Sequence, residues 1–144
     1  MLNNLNNICY MHVNFYKRPQ IQVNNSHSKM ENSTLFLEYL SEFIANSATK
    51  RVKGYGTVGL AYNTIRTYKS LYRITQEYEL EKSQILYLSS INKNTAESFT
   101  RFLKIEKQYS DNYCGQLLKL LKIILRDAEK SGFAIHPYSN YIES

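Results

Sequence analysis

Residues 110–137, SDNYCGQLLKLLKIILRDAEKSGFAIHP, restrict the fold more than any other stretch of the chain. They read as one long helix with a start signal, a stop signal and two unlike faces. Ser110 can accept a hydrogen bond from an open N–H of the first turn, and Asp111 places negative charge there. Gly132 can take the left-handed conformation that closes a helix, with Phe133 folding back towards Ala128. Pro137 blocks a restart. About 21 residues lie between these signals, roughly 31 Å of helix. At 100° per residue, Cys114, Leu117, Leu118, Leu121, Ile124, Leu125 and Ala128 share one face, and Lys119, Lys122, Arg126 and Lys130 share the opposite one. Such a helix packs on a core and shows its cations to solvent or to something anionic.

The 144 residues suit one domain plus a tail, and 43% hydrophobic content supplies a core. A net charge of +6 points to a polyanionic partner or to nothing in particular. Residues 110–144 carry four cations and four anions. Any basic surface there comes from segregation of faces, not from net charge. Thirteen tyrosines without a tryptophan suit core edges with a polar tip. Of the two cysteines, Cys114 lies on the apolar side of the last helix as a buried free thiol, and Cys9 sits in a polar stretch. Neither has a CxxC neighbour. The start, MLNNLNNICYM, has no basic n-region and no apolar h-region, and no run approaches a membrane span. The expectation is a cytoplasmic protein with no membrane partner.

Residues 1–32 are asparagine-rich and poor in pattern. Weak alternation of Val13, Phe15, Ile21 and Val23 suits a short strand pair, disorder or a docked tail alike. A first helix is expected over about Ser33–Ser47, with Phe36, Leu40, Phe43 and Ile44 as its stripe. TKRVKGYGTVG, residues 49–59, reads as a mobile basic loop carrying Lys50, Arg51 and Lys53. A second helix is expected over about Leu60–Glu79. Ala61, Ile65, Tyr68, Leu71, Tyr72, Thr75 and Tyr78 fall on one side, Asn63, Arg66, Ser70 and Arg73 on the other, and Lys69 at the margin. A connector follows, in which Ile85–Leu88 suits a brief extended piece. A third helix over about Asn94–Lys107 is capped near Asn94 or Thr95 and buries Phe99, Phe102 and Leu103. The plan is all-α: four main helices, no convincing sheet and polar connectors. Residues 1–32 form a tail or arm remnant, 33–137 the helical domain, and 138–144 a tail or the start of a linker.

No catalytic constellation is present. His12, His27 and His136 lie in terminal segments outside any HExxH or HxxR spacing, and the glycines at 54, 56 and 59 lack a phosphate-loop context. Glu38 and Glu42, one turn apart, read as a solvated face more readily than as an acid–base pair. No cofactor and no metal is implied. The basic faces leave two readings open. One is an ordinary solvated exterior. The other is phosphate contact through Arg66, Lys69, Arg73, Lys119, Lys122 and Arg126, assisted by the loop cations and by Asn63, Thr64, Thr67 and Ser70. Tyr68 and Tyr72 lie on the apolar stripe, so core packing outweighs base stacking for both.

Two phrases, YNTIRTYKSLYRITQEY at 62–78 and YSDNYCGQLLKLLKIILRDAEKSGFAIHP at 109–137, resemble the core-binding domain of tyrosine recombinases. The likeness is to the SAM-like helical domain of phage-type and transposon integrases of Bacteroides and relatives. Thr64-Ile65-Arg66-Thr67-Tyr68 is similar to that family's T-I-x-x-Y phrase. Phe99-Thr100-Arg101-Phe102-Leu103 is similar to its F-x-x-F-L helix. Ala128, Gly132, Phe133 and Pro137 stand where its last helix closes. The resemblance covers about residues 33–140 and implies a helical bundle, non-catalytic by itself, forming one half of a clamp around duplex DNA. The second helix would face the DNA through Asn63, Thr64, Arg66, Thr67, Ser70 and Arg73, and the fourth through Lys119, Lys122 and Arg126. The other half would be a catalytic domain, with further recombinase protomers as partners. The family's catalytic residues have no counterparts here, and Tyr138 and Tyr141 lack the partners of a nucleophile, so a fragment or a truncated product is expected. Two competing classes remain: a helical protein-interaction module and a small stand-alone DNA-binding regulator.

Overall fold

The computed structural model of the chain describes residues 34–49 and 59–143. The alternation around Val13–Val23 and the loop cations Lys50, Arg51 and Lys53 lie outside these residues. The architecture is all-α, with α1 Phe36–Ala45, α2 Tyr62–Lys82, α3 Lys93–Arg101 and α4 Asp111–Lys130. Among the described residues there is no strand, only a single antiparallel bridge between Leu35 and Tyr87.

That bridge explains where α1 begins. The Phe36 N–H donates to the Leu86 carbonyl at 2.9 Å, and the Leu88 N–H donates to the Thr34 carbonyl at 3.0 Å. Residues 34–35 therefore run extended beside the connector, and helix starts at Phe36 instead of Ser33. The expected extended piece at Ile85–Leu88 is the other half of this pairing. α1 is buried on more than its expected stripe, since Leu37 and Tyr39 are covered as well as Phe36, Leu40 and Phe43.

α2 runs three residues past Glu79. The Gln84 N–H closes it by bonding the Glu79 carbonyl at 3.0 Å, and Ser83 takes the left-handed conformation at φ 49°. The Glu79 side chain is buried and accepts the Leu86 N–H at 2.8 Å, which ties the helix end to the connector. Tyr68, Leu71, Tyr72, Thr75 and Tyr78 are buried as their spacing predicts, and Ile74 joins them. Ala61 does not: it is exposed, being the residue before the first turn.

α3 is capped earlier than expected. The Asn92 side chain accepts the Thr95 N–H at 3.0 Å, so Asn92, not Asn94 or Thr95, is the cap. Its last turn, Phe102–Glu106, is a π-helical widening, closed by Lys107 N–H to the Phe102 carbonyl and Tyr109 N–H to the Leu103 carbonyl, both at 3.0 Å. Phe102 and Leu103 are both fully buried there. Tyr78 of α2 meets Phe99 and Phe102 edge-on, with centroids 5.2 and 5.4 Å apart, and its hydroxyl bonds Ser98 at 2.9 Å.

α4 matches its expected limits. Ser110 Oγ accepts the Tyr113 N–H at 3.3 Å, while Gly132 at φ 93° lets the Phe133 N–H return to the Ala128 carbonyl at 3.0 Å. Every residue of its expected apolar face is buried, and Leu120 widens that face. Cys114 is buried, and burial pushes its thiol up.

Beyond Pro137 the chain stays on the bundle. A 3₁₀ turn over Pro137–Tyr141 packs against α4, and Ile142 is only 2% exposed. The Ser139 hydroxyl is buried with no hydrogen-bond partner among the described residues. Truncating Ile142 to alanine should therefore lower stability by about 2 kcal/mol. Ser139→Ala, which removes an unsatisfied buried oxygen, should raise it by about 1 kcal/mol. Urea unfolding of the two variants measures both; midpoints equal to wild type would mean that this segment contributes no packing.

Candidate nucleic-acid interface

α2 and α4 pack directly against each other in opposite senses. The first half of α2 approaches the end of α4, where Tyr68 feels the charge of Asp127, and Arg73 reaches Tyr109, which leads into α4. The side of α2 that carries Arg73 thus borders α4.

The expected contact residues fall into three groups. Arg66, Lys69, Lys119 and Arg126 are exposed and make no ion pair among the described residues. Lys130 shares that state. Arg126 makes no ion pair with Glu129, three residues on. Arg73 and Lys122 are partly engaged: the Arg73 guanidinium bonds Glu77 at 2.7 Å, and the Lys122 ammonium donates to the Ile142 carbonyl at 3.2 Å. Two candidate hydroxyls of α2 are committed to their own helix. Thr67 donates to the Asn63 carbonyl at 2.8 Å and Ser70 to the Arg66 carbonyl at 3.2 Å. A phosphate oxygen accepts hydrogen bonds and donates none, so these hydroxyls must first release their own helix. Asn63 is exposed and Thr64 half-buried at the opening turn.

The other lysines are occupied. Lys82 bonds Glu106 at 2.6 Å, Lys104 bonds Asp111 at 2.9 Å, and Lys107 joins Arg73 on Glu77. Burial works to raise the Glu77 carboxyl, but Lys107 and Arg73 overcome it and leave it below its ordinary value. These pairs cluster where α3 turns into α4. Two of the three acids of α4 are withdrawn from its basic side, Glu129 being exposed. Asp111 is held by Lys104, and Asp127 accepts the Tyr39 hydroxyl at 2.7 Å. The Ser131 hydroxyl lies 3.3 Å from the same Tyr39 oxygen. On α1, burial raises the Glu38 carboxyl, with Glu42 adding to the shift.

The chain matches the phage integrase SAM-like domain over residues 35–141. It belongs to that family. The match spans all four helices of this SAM-like domain and its closing 3₁₀ turn, and it takes in both phrases that resembled a recombinase core-binding domain. Membership implies the DNA-binding part of a recombinase. No curated protein and no solved structure matches the chain. No helix among the described residues is long and apolar enough to cross a membrane, and no cluster of histidine, cysteine, aspartate and glutamate among them could hold a metal ion.

Sequence reasoning passed over three exposed residues of this SAM-like domain. Tyr62 opens α2 at 79% exposure, and Gln116 and Ile123 lie on the basic side of α4. The signal for the last two was available: both continue the four-and-three spacing of Lys119 and Arg126.

The Tyr39–Asp127 bond fixes α1 to the end of α4 and has a pH signature. Burial, with the Asp127 charge adding, raises the Tyr39 hydroxyl from 10.0 to about 12. The neutral phenol is favoured in the folded state, so its stabilisation is complete below pH ~10 and fades as pH rises through ~12. Tyr39→Phe should cost about 1.5 kcal/mol near neutral pH, and the gap to wild type should narrow at about pH 11.5. Urea midpoints at the two pH values measure it; equal midpoints near neutral pH would mean that the bond contributes nothing, and a constant gap that the hydroxyl's titration is not linked to folding.

Proposed function

We propose that this SAM-like domain holds duplex DNA as one half of a clamp in a site-specific tyrosine recombinase or transposon integrase, and that it is not catalytic by itself. The observation that carries the reading is the division of charge. The carboxylates near the α3–α4 junction engage Lys82, Lys104 and Lys107, whereas Arg66, Lys69, Lys119 and Arg126 on two touching helices have no ion pair among the described residues. Unpaired surface cations are the groups that neutralise phosphates and release counterions. Arg73 and Lys122 would add to them, as would Lys50, Arg51 and Lys53 from the sequence between α1 and α2. Asn63, Thr64, Thr67 and Ser70 stand beside them on α2, with the two bonded hydroxyls as the weaker contributors. The partners of this reading are duplex DNA, a catalytic domain and other recombinase protomers, in a mobile element of a bacterial cytoplasm. The affinity to Bacteroides-type integrases rests on the sequence phrases.

A protein-interaction module is the second reading, and one feature favours it. An open cleft of about 610 Å³ lies between α3, the start of α4 and the closing segment. Ile105, Leu118 and Ile142 supply apolar lining and Arg101, Lys104 and Glu143 supply charge. The cleft suits a contact with another protomer as well as with an unrelated protein.

Duplex binding across a salt series tests the first reading. The chain should bind mixed-sequence duplex weakly, with log K falling linearly in log salt. Alanine at Lys119 and Arg126 should reduce the slope by about 0.9 for each phosphate no longer neutralised, and at Lys122 by less, since that ammonium is shared with Ile142. A slope unchanged by all three substitutions would remove α4 from the DNA-facing surface.

A further inference from the structure

The closing 3₁₀ turn takes its start from one residue. Pro137, the first of the turn, has no N–H to donate. The next two N–H groups both go to His136. The Tyr138 N–H donates to the imidazole Nδ1 at 3.1 Å, and the Ser139 N–H donates to the His136 carbonyl at 2.9 Å. A backbone amide can only donate, so Nδ1 must keep its lone pair, and the ring is neutral with its proton on Nε2. A second proton would fall on Nδ1 and set two donors against each other. The ring is half-buried, so solvent protons reach it.

The turn holds two things in place. Ile142 is buried and its carbonyl takes the Lys122 ammonium at 3.2 Å, while Tyr138 and Ile142 line the cleft of about 610 Å³. Against this stand the ordering of the segment and the Ser139 hydroxyl, buried without a partner among the described residues. Docking is therefore a balance that the loss of one hydrogen bond can tip. None of the charged groups around the segment is paired with the ring. The turn packs on α4, whose Lys122 bonds it and is itself a cation. Glu97, Arg101, Lys104 and Asp111 line the cleft with Tyr138 and Glu143, and the last two of those four are bonded to each other. Cys114, in the same lining, is a buried thiol. His136 makes no ion pair among the described residues.

We propose that His136 is a pH-sensitive latch: neutral, it caps the closing turn and keeps residues 137–142 on α4; protonated, it releases them. Release frees the Lys122 ammonium and takes Tyr138 and Ile142 out of the cleft wall, so one proton controls a cation of α4 and the shape of the cleft together. The released segment binds one proton more than the docked one. Docking is thus complete at the alkaline end and is lost as pH falls through the range in which histidines charge. The device requires no particular ligand at either place.

NMR of the full chain from about pH 8 to about pH 5 tests it. The Ile142 methyl signals should move from a buried towards an exposed position as pH falls, in step with the His136 ring signals, while those of Leu125 in the core stay fixed. His136→Asn supplies an amide oxygen that accepts the Tyr138 N–H whatever the pH, so its Ile142 signals should stay buried throughout. His136→Ala has no acceptor; its Ile142 signals should start nearer the exposed position and not move with pH. Ser139→Ala removes the orphaned hydroxyl and should place the midpoint about 0.7 of a pH unit lower, about fivefold in the docking equilibrium. Wild-type Ile142 signals that remain buried at about pH 5, or that move as far in His136→Asn as in wild type, would overturn the latch.

Discussion

Burial of one face of α4 is the constraint on which the rest of the domain depends. Leu117, Ile124, Leu125 and Ala128 are fully buried. α1, α2, the π turn and the closing 3₁₀ turn all pack on this helix. Interior packing is dense enough that a helix seated by four such residues cannot roll about its axis. Its outer line is therefore set by its inner one: a turn of one residue would bury a lysine and expose a leucine. The surface proposed to face DNA is thus a by-product of the surface that folds the domain.

The distribution of charge works in the same direction. Exposed ion pairs such as Lys104–Asp111 contribute little to stability, roughly 0–1 kcal/mol each. Their larger effect is on the field. By pairing the lysines where α3 turns into α4, they leave Arg66, Lys69, Lys119 and Arg126 among the cations without an ion pair among the described residues. The pairing of Asp127 with Tyr39 extends this, because it keeps a carboxylate of α4 turned towards α1 and away from Arg126. A chain with modest net charge can thus keep a row of unpaired cations on α4, Lys119, Arg126 and Lys130, among the described residues.

How much was legible in the sequence depended on which physical device set each feature. α4 was readable end to end because its cap is a serine, its terminator a glycine and its stripe has helical period. The end of α2 was not, because the left-handed residue there is Ser83, and nothing in its chemistry marks it as a stop. The start of α1 was misplaced for a different reason: the Leu35–Tyr87 bridge joins residues far apart in sequence, which no local pattern reports. The π turn at Phe102–Glu106 was also invisible, since its spacing differs from a helix by one residue and its apolar content does not. Within the candidate surface, the cations were found from periodicity. That Thr67 and Ser70 donate to their own helix, and that Lys122 holds the Ile142 carbonyl, are facts of conformation that composition could not carry.

Those side-chain bonds bear on how the two helices would share the work. On α2 the Thr67 and Ser70 hydroxyls are already donors within the helix, so moving one onto a phosphate exchanges one hydrogen bond for another with little net gain. What α2 adds is charge, through Arg66 and Lys69, with Arg73 divided between solvent and Glu77. On α4 no such competition exists for Gln116, Lys119 or Arg126: among the described residues none of their side chains is bonded to the bundle. Of the two helices, α4 has the greater number of uncommitted groups in line and the deeper anchorage in the core. A rigid helix holding free polar tips in register can distinguish base edges, whereas a helix whose donors are committed can add mainly attraction. On the DNA-binding reading, attraction would therefore be shared between α2 and α4, with the uncommitted polar groups concentrated on α4.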